Sequence, residues 1–157
     1  YSINANITYK NFDVNIFGQG VGKRNNYLSG TGAIPFASGD FVASLLDIHK
    51  DYWTPENQNA TFPRLLPSGL GGNNYLASSH YVRSASYFRI KNISLGYKLP
   101  TKWMDRAKIS SVRIFVSGSN LITISKAWKG FDPEINAANA EFYPLMKTFT
   151  AGVNVNF

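Results

Sequence analysis

The last ten residues, Thr148-Phe-Thr-Ala-Gly-Val-Asn-Val-Asn-Phe157, set the reading of the whole chain. Phe149, Ala151, Val153, Val155 and Phe157 share one parity, and Thr148, Thr150, Gly152, Asn154 and Asn156 share the other. Successive side chains of a strand point to opposite faces, so this period of two predicts a β-strand with one apolar and one polar side. The polar side is small and uncharged, without the lysine and glutamate that usually cover the water face of a soluble sandwich. Transmembrane β-strands, with lipid on one side and a hydrated lumen on the other, read this way. They need about 9–11 residues to cross the hydrocarbon core.

Working outward, the same alternation gives strands at about 2–9, 12–18, 87–99, 110–124 and 147–157. In the first, Ile3, Ala5, Ile7 and Tyr9 oppose Ser2, Asn4, Asn6 and Thr8; Lys10-Asn11 then breaks the pattern before Phe12, Val14 and Ile16 resume it. That is a hairpin signal, although the turn carries no glycine. Phe88 and Ile90 lie on the opposite parity to Ile93, Leu95, Tyr97 and Leu99, so a bulge or a change of environment is expected near Lys91-Asn92. Gly118-Ser119-Asn120 interrupts the fourth strand and leaves the register of Leu121 to Ile124 open.

Short turns at 10–11 and 100–108 alternate with long loops at about 19–85 and 126–145. Outer-membrane barrels share this asymmetry, with short periplasmic turns and long extracellular loops. Tyr9, Phe12, Tyr97, Trp103, Phe149 and Phe157 stand near strand ends, where aromatic rings favour the lipid–water boundary. The first long loop is rich in glycine and proline and reads as largely irregular. Its one helix-like stretch is about 40–50, where Phe41, Leu45, Leu46 and Ile48 recur near helical spacing. Most loops have about 4–6 residues, so this one is either a functional surface loop or a misassigned region.

Composition excludes several chemistries. The 157 residues contain no cysteine and only two histidines, His49 and His80, which removes disulfides, thiolate metal sites and thiol catalysis. No cofactor and no catalytic activity are expected. Asp132-Pro133-Glu134 and Glu141 bring carboxylates close in sequence, but a proline-pinned turn accounts for them without chemistry. Asp47, His49 and Asp51 would align as metal ligands on a strand; on a helix they scatter, which leaves His49 a solvated side chain. Arg83, Arg89, Lys91, Lys98, Lys102, Arg106, Lys108 and Arg113, opposed by Asp105, carry the whole +7 excess. Without a glycine-rich or other nucleic-acid motif, these cations read as water- or headgroup-facing, and no nucleic-acid partner is expected.

No run approaches the roughly 18 apolar residues of a membrane-spanning helix. Tyr1 opens directly into a strand pattern without a signal peptide, so the chain is expected to be a piece of something longer. Five strands with unpaired edges cannot persist in a bilayer, because exposed backbone groups find no water there. The consistent all-β reading is the end of a large barrel. The competing reading is a soluble secreted β-sandwich that binds carbohydrate.

Four ordered motifs carry a resemblance: YFRIKNISLGYKLP (87–100), ISSVRIFVSGSNLITISK (109–126), KGFDPE (129–134) and YPLMKTFTAGVNVNF (143–157). They resemble the C-terminus of the SusC/RagA family of TonB-dependent outer-membrane transporters. WTPENQNATFPRL (53–65) is similar to the loop preceding these motifs, whereas residues 1–52 match only in strand pattern. The resemblance implies the last five or so antiparallel strands of a large, about 22-stranded transmembrane barrel. It also implies a Gram-negative, Bacteroidetes-like outer membrane and a SusD-like surface lipoprotein as lid. Uptake of glycan or peptide would be energised through TonB. The plug domain and the TonB-contacting segment are expected upstream and absent here. Thr150, Gly152, Val155 and Phe157 resemble the barrel-assembly signal, in which an exposed alternating strand pairs with the insertion machinery. Tyr27, Tyr52, Trp53, Tyr75 and Tyr81 are the loop aromatics expected to contact substrate or lid, or to pack the loop itself.

Overall fold

A computed structural model describes residues 1–36, 45–66, 72–103, 109–135, 142–143 and 145–157. Its strands are β1 (Ser2–Tyr9), β2 (Phe12–Val21), β3 (Asn25–Tyr27), β4 (Val82–Ser84), β5 (Tyr87–Lys98), β6 (Ser111–Ser125) and β7 (Thr148–Asn156). Five of them form one antiparallel sheet in the order β1-β2-β5-β6-β7, and β3 and β4 form a separate pair. Among the described residues no helix is long and apolar enough to cross a membrane. The chain divides into two units: the sheet (1–22, 87–125 and 145–157) and the two long connections (23–86 and 126–144).

The sheet is a meander whose register keeps each parity on one face. Tyr9, Phe12, Tyr97, Ile114 and Val153 stand side by side across the five strands, and Ile7, Val14, Leu95, Val116 and Ala151 form the next row. On the other face, Asn6, Asn15, Ser94, Ser117 and Thr150 form one row, with Thr8, Asp13, Gly96, Phe115 and Gly152 beside it. The register shifts between Ile90 and Asn92 on β5, with Asn120 of β6 at a φ of 56°. The extra residue Lys91 returns Phe88 and Ile90 to the apolar face, opposite Ile124 and Ile122. The apparent change of parity in the sequence is therefore a bulge, not a change of environment.

Among the described residues no packed layer covers the apolar face. Ile7 is 58% exposed, Val116 52%, Val153 59% and Phe149 78%, although cores bury such residues almost completely. A β-sandwich requires a second sheet on this side, and among the described residues the five strands have none. β1 and β7 each pair on one side only, leaving two open edges. The soluble-sandwich reading fails on both observations.

The second unit corrects the expectation of an irregular loop. Leu28, Ala33, Phe62 and Tyr81 are buried together, with Ile34, Ile48, Tyr52, Trp128 and Phe131 packed against them. The backbone N–H of Leu28 donates to Tyr81 O at 3.0 Å, and Arg24 Nη1 donates to Glu134 O at 3.1 Å, tying distant stretches together. Of the helix expected over 40–50, residues 40–44 lie outside the described residues, and Asp47–Lys50 forms a turn of 3-10 helix.

Candidate functional site

Two surfaces carry the side chains that matter: the polar face of the sheet and the folded connections. On the polar face, glycine lets large side chains lie flat. Gly96 stands between Asp13 and Phe115, and the Arg113 guanidinium lies across it to reach Asp13. Arg113 Nε donates to Asp13 Oδ1 at 2.8 Å, and its Nη2 donates to Asp13 Oδ2. This is the bidentate fork that suits an arginine–carboxylate pair. A β-carbon substituent on Gly96 would occupy the guanidinium's place. Arg89, 3% exposed, donates from Nε to Thr123 Oγ1 at 2.8 Å. Asn15 Nδ2 donates to Asn6 Oδ1, and Asn156 Nδ2 to Ser111 Oγ at 2.9 Å. The face is a hydrogen-bonded polar wall.

The residues of the expected assembly signal divide between the two faces of β7. Thr150 opposes Ser117, and Gly152 opposes Phe115, whose ring comes within 2.6 Å of where a β-carbon on Gly152 would sit. Gly152 thus has a packing reason of its own. Val155 opposes Val112 on the apolar face, and Phe157, 89% exposed, follows the last paired residue.

The five loop aromatics separate by burial. Tyr81 is 2% exposed, packs in the core of the unit and donates its hydroxyl to Asn74 O at 2.7 Å. Burial pushes its phenol pKa up, and does the same for half-buried Tyr75. Tyr52 packs against the core, its backbone bridged to Phe62. Tyr27 and Trp53 keep exposed rings. Trp53 and the edge of Tyr81 meet at a cavity of about 500 Å³, with Arg64, Asn74 and His80 on its walls.

His49 is a second correction. It is fully buried: Nδ1 accepts from Leu46 N–H at 3.2 Å and Nε2 donates to Gly32 O at 2.8 Å. Burial holds its pKa below the ordinary 6.5. His80 is exposed and bonds Thr61 O at 2.9 Å. Asp132 Oδ1 accepts from Glu134 N–H at 2.8 Å, a side-chain-to-backbone turn around buried Pro133. Glu141 lies outside the described residues, as do Asp105, Arg106 and Lys108.

A second cavity, about 390 Å³ and not among the sequence expectations, is lined by Arg83, Lys126, Trp128 and Lys129 with Asp47, Asp51 and Thr61. The Arg83 guanidinium lies 4.5 Å above the Trp128 ring. Trp128 packs at 5.5 Å on Phe62, which meets His49 edge-on at 4.9 Å. A tryptophan just after a strand in a long loop was the available signal.

No model of a known protein family matches the chain. The sequence is 34% identical over 172 aligned positions to the TonB-dependent receptor P3 of Formosa agariphila, covering 98% of this chain. It is 27% identical to the TonB-dependent receptor SusC of Bacteroides thetaiotaomicron, covering 99%. The chain belongs to the SusC/RagA family. It spans 16% and 15% of the lengths of these two curated relatives. Its fold superposes on the solved RagAB peptide transporter with a TM-score of 0.68 at 23% identity, covering 99% of this chain and 17% of that one. The "closed-closed" state of the RagAB peptide importer gives 0.69 at 22%, covering 99% and 16%. The SusC/RagA sheet described above is accordingly a C-terminal part of an outer-membrane barrel.

Proposed function

We propose that the complete protein imports nutrient oligomers, glycan or peptide, across the outer membrane by TonB-dependent transport. In this reading the present segment supplies wall strands, the closing strand β7 and a folded surface unit. A SusD-like surface lipoprotein acts as the lid, and TonB engages a part of the protein outside these residues. The chain is a transporter segment and not an enzyme. The observation that carries the reading is the two-faced open sheet: a Val/Ile/Phe side without a covering layer, a hydrogen-bonded Asn/Ser/Thr side, and two unpaired edges. Hydrocarbon outside, a hydrated lumen inside and further barrel strands at both edges satisfy all three at once.

The test is growth of a strain relying on the full-length protein, with defined oligosaccharides or peptides as the sole nutrient. Growth should require the transporter, TonB and the lipoprotein gene beside it. Growth that survives loss of TonB, or recovery of the full-length protein from the soluble fraction, overturns the proposal.

A further inference from the structure

We propose that the cavity at Arg83 and Trp128 is a binding site for an acidic sugar unit, bearing carboxylate or sulfate, of the transported oligomer. The inference rests on the uptake reading above and names a substrate class for it. Three cations, Arg83, Lys126 and Lys129, line the cavity beside two carboxylates, Asp47 and Asp51. Both carboxylates are already engaged. Asp47 pairs with Lys50 at 2.5 Å, and Asp51 accepts from Asn57 Nδ2 and from Thr61 N–H, each at 3.1 Å. These hydrogen bonds hold both aspartate pKa values below the ordinary 3.8, so each stays ionised.

Arg83 is preorganised rather than free-swinging. Its guanidinium rests on the Trp128 face and donates from Nη1 to His80 O at 3.4 Å. Trp128 in turn is packed on Phe62, which is 2% exposed. A stacked guanidinium is weakly hydrated and presents a planar fork to a carboxylate or sulfate, which lowers the ordering cost of binding. Lys126 and Lys129 are exposed and add charge without a fixed geometry.

The mixture of groups selects the ligand. Cations alone would suit any anion, an acidic peptide included. The lone pairs that Asp47 and Asp51 keep beyond those contacts, with the Thr61 hydroxyl, add oxygen acceptors to the same cavity, which favour hydroxyl donors and repel a run of carboxylates. A sugar ring with one anionic substituent carries both kinds of partner. The cavity volume falls within the range of pockets that enclose small ligands.

Calorimetry on the full-length detergent-purified protein tests this with four probes: trigalacturonate, a sulfated trisaccharide, neutral maltotriose and triglutamate. One or both acidic sugars should bind at least about tenfold more tightly than maltotriose and triglutamate, with affinity falling as salt rises. Arg83→Gln should weaken that binding about tenfold, and Lys129→Gln by a smaller factor. Because Lys129 is exposed, its variant separates a lost contact from a lost fold. Equal binding of maltotriose, equal or tighter binding of triglutamate, no binding of any acidic sugar, or indifference to both substitutions overturns the proposal. Wild-type growth distinguishes the two readings. TonB-dependent uptake that persists while calorimetry fails sinks this site alone, whereas loss of TonB dependence sinks the uptake reading.

Discussion

Gly96 and His49 show how single residues are fixed by neighbours far away in sequence. Gly96 is small because Arg113 crosses it to Asp13, a contact spanning 100 residues of chain. Gly96→Ala should push the guanidinium aside and lower stability only modestly, since both partners of the ion pair are partly exposed. In urea unfolding of the full-length protein, Gly96→Ala and Asp13→Asn together should cost scarcely more than either alone; full additivity would separate the glycine from the ion pair. His49 makes a pH prediction. Its pKa in the folded unit lies below 6.5, so the unfolded loop binds a proton more readily than the folded one. The stability it contributes is complete above about pH 6.5 and is lost as pH falls toward the depressed value. Protonating Nδ1 also removes the acceptor for Leu46 N–H. Corrected for the base-catalysed intrinsic rate, amide protection around residues 46–50 should fall between pH 7.5 and 5.5, and His49→Gln should abolish that pH dependence.

At the scale of elements, alternation makes the sheet legible because each strand records its two solvents locally. Val116 and Ser117 are neighbours on central strand β6 with opposite surroundings: Val116 lies between Leu95 and Ala151, and Ser117 between Ser94 and Thr150. Val116→Arg should cost about 2–4 kcal/mol near the middle of the bilayer, and Ser117→Arg much less. Equal penalties in unfolding from lipid would contradict the face assignment. Asn154 is a poor control because it stands directly opposite Arg113, where a second cation is penalised by repulsion. What stayed hidden in the sequence has one physical source, dependence on distant partners. The hairpin needed no glycine because Lys10 itself adopts a φ of 53°. The bulge was visible as a parity change, but its compensation at Asn120 in β6 was visible only in the pairing. The folded connections have no period to read: Tyr81, expected as a possible contact, is buried by Leu28, Ala33 and Phe62 from elsewhere in the unit. Likewise the solvated His49 of the sequence reading is enclosed once Gly32 O, 17 residues earlier, comes into reach.

For the whole molecule, the open edges of β1 and β7 require partners. On the transport reading proposed above, the free side of β7 would pair with the first strand of the complete barrel, and during assembly the same edge would meet the insertion machinery. The chain's lack of cysteine makes this measurable by single-cysteine scanning along β7 in the full-length protein, against a background in which these residues add no thiol. In intact outer membranes, cysteines at Thr150 and Asn154 should react with a small hydrophilic maleimide that enters the lumen; Gly152 is left out because Phe115 covers it. Cysteines at Ala151, Val153 and Val155 should be protected by lipid and should become reactive in denaturant. A uniform labelling pattern would mean that β7 does not separate lumen from lipid. Phe157 separates assembly from structure, because it lies beyond the pairing and is 89% exposed, so its loss removes no contact within the sheet. Phe157→Ser should therefore lower the amount of barrel inserted into the outer membrane several-fold while leaving the unfolding midpoint of the inserted fraction unchanged. A shifted midpoint with normal insertion would make Phe157 a structural residue and remove it from the assembly signal.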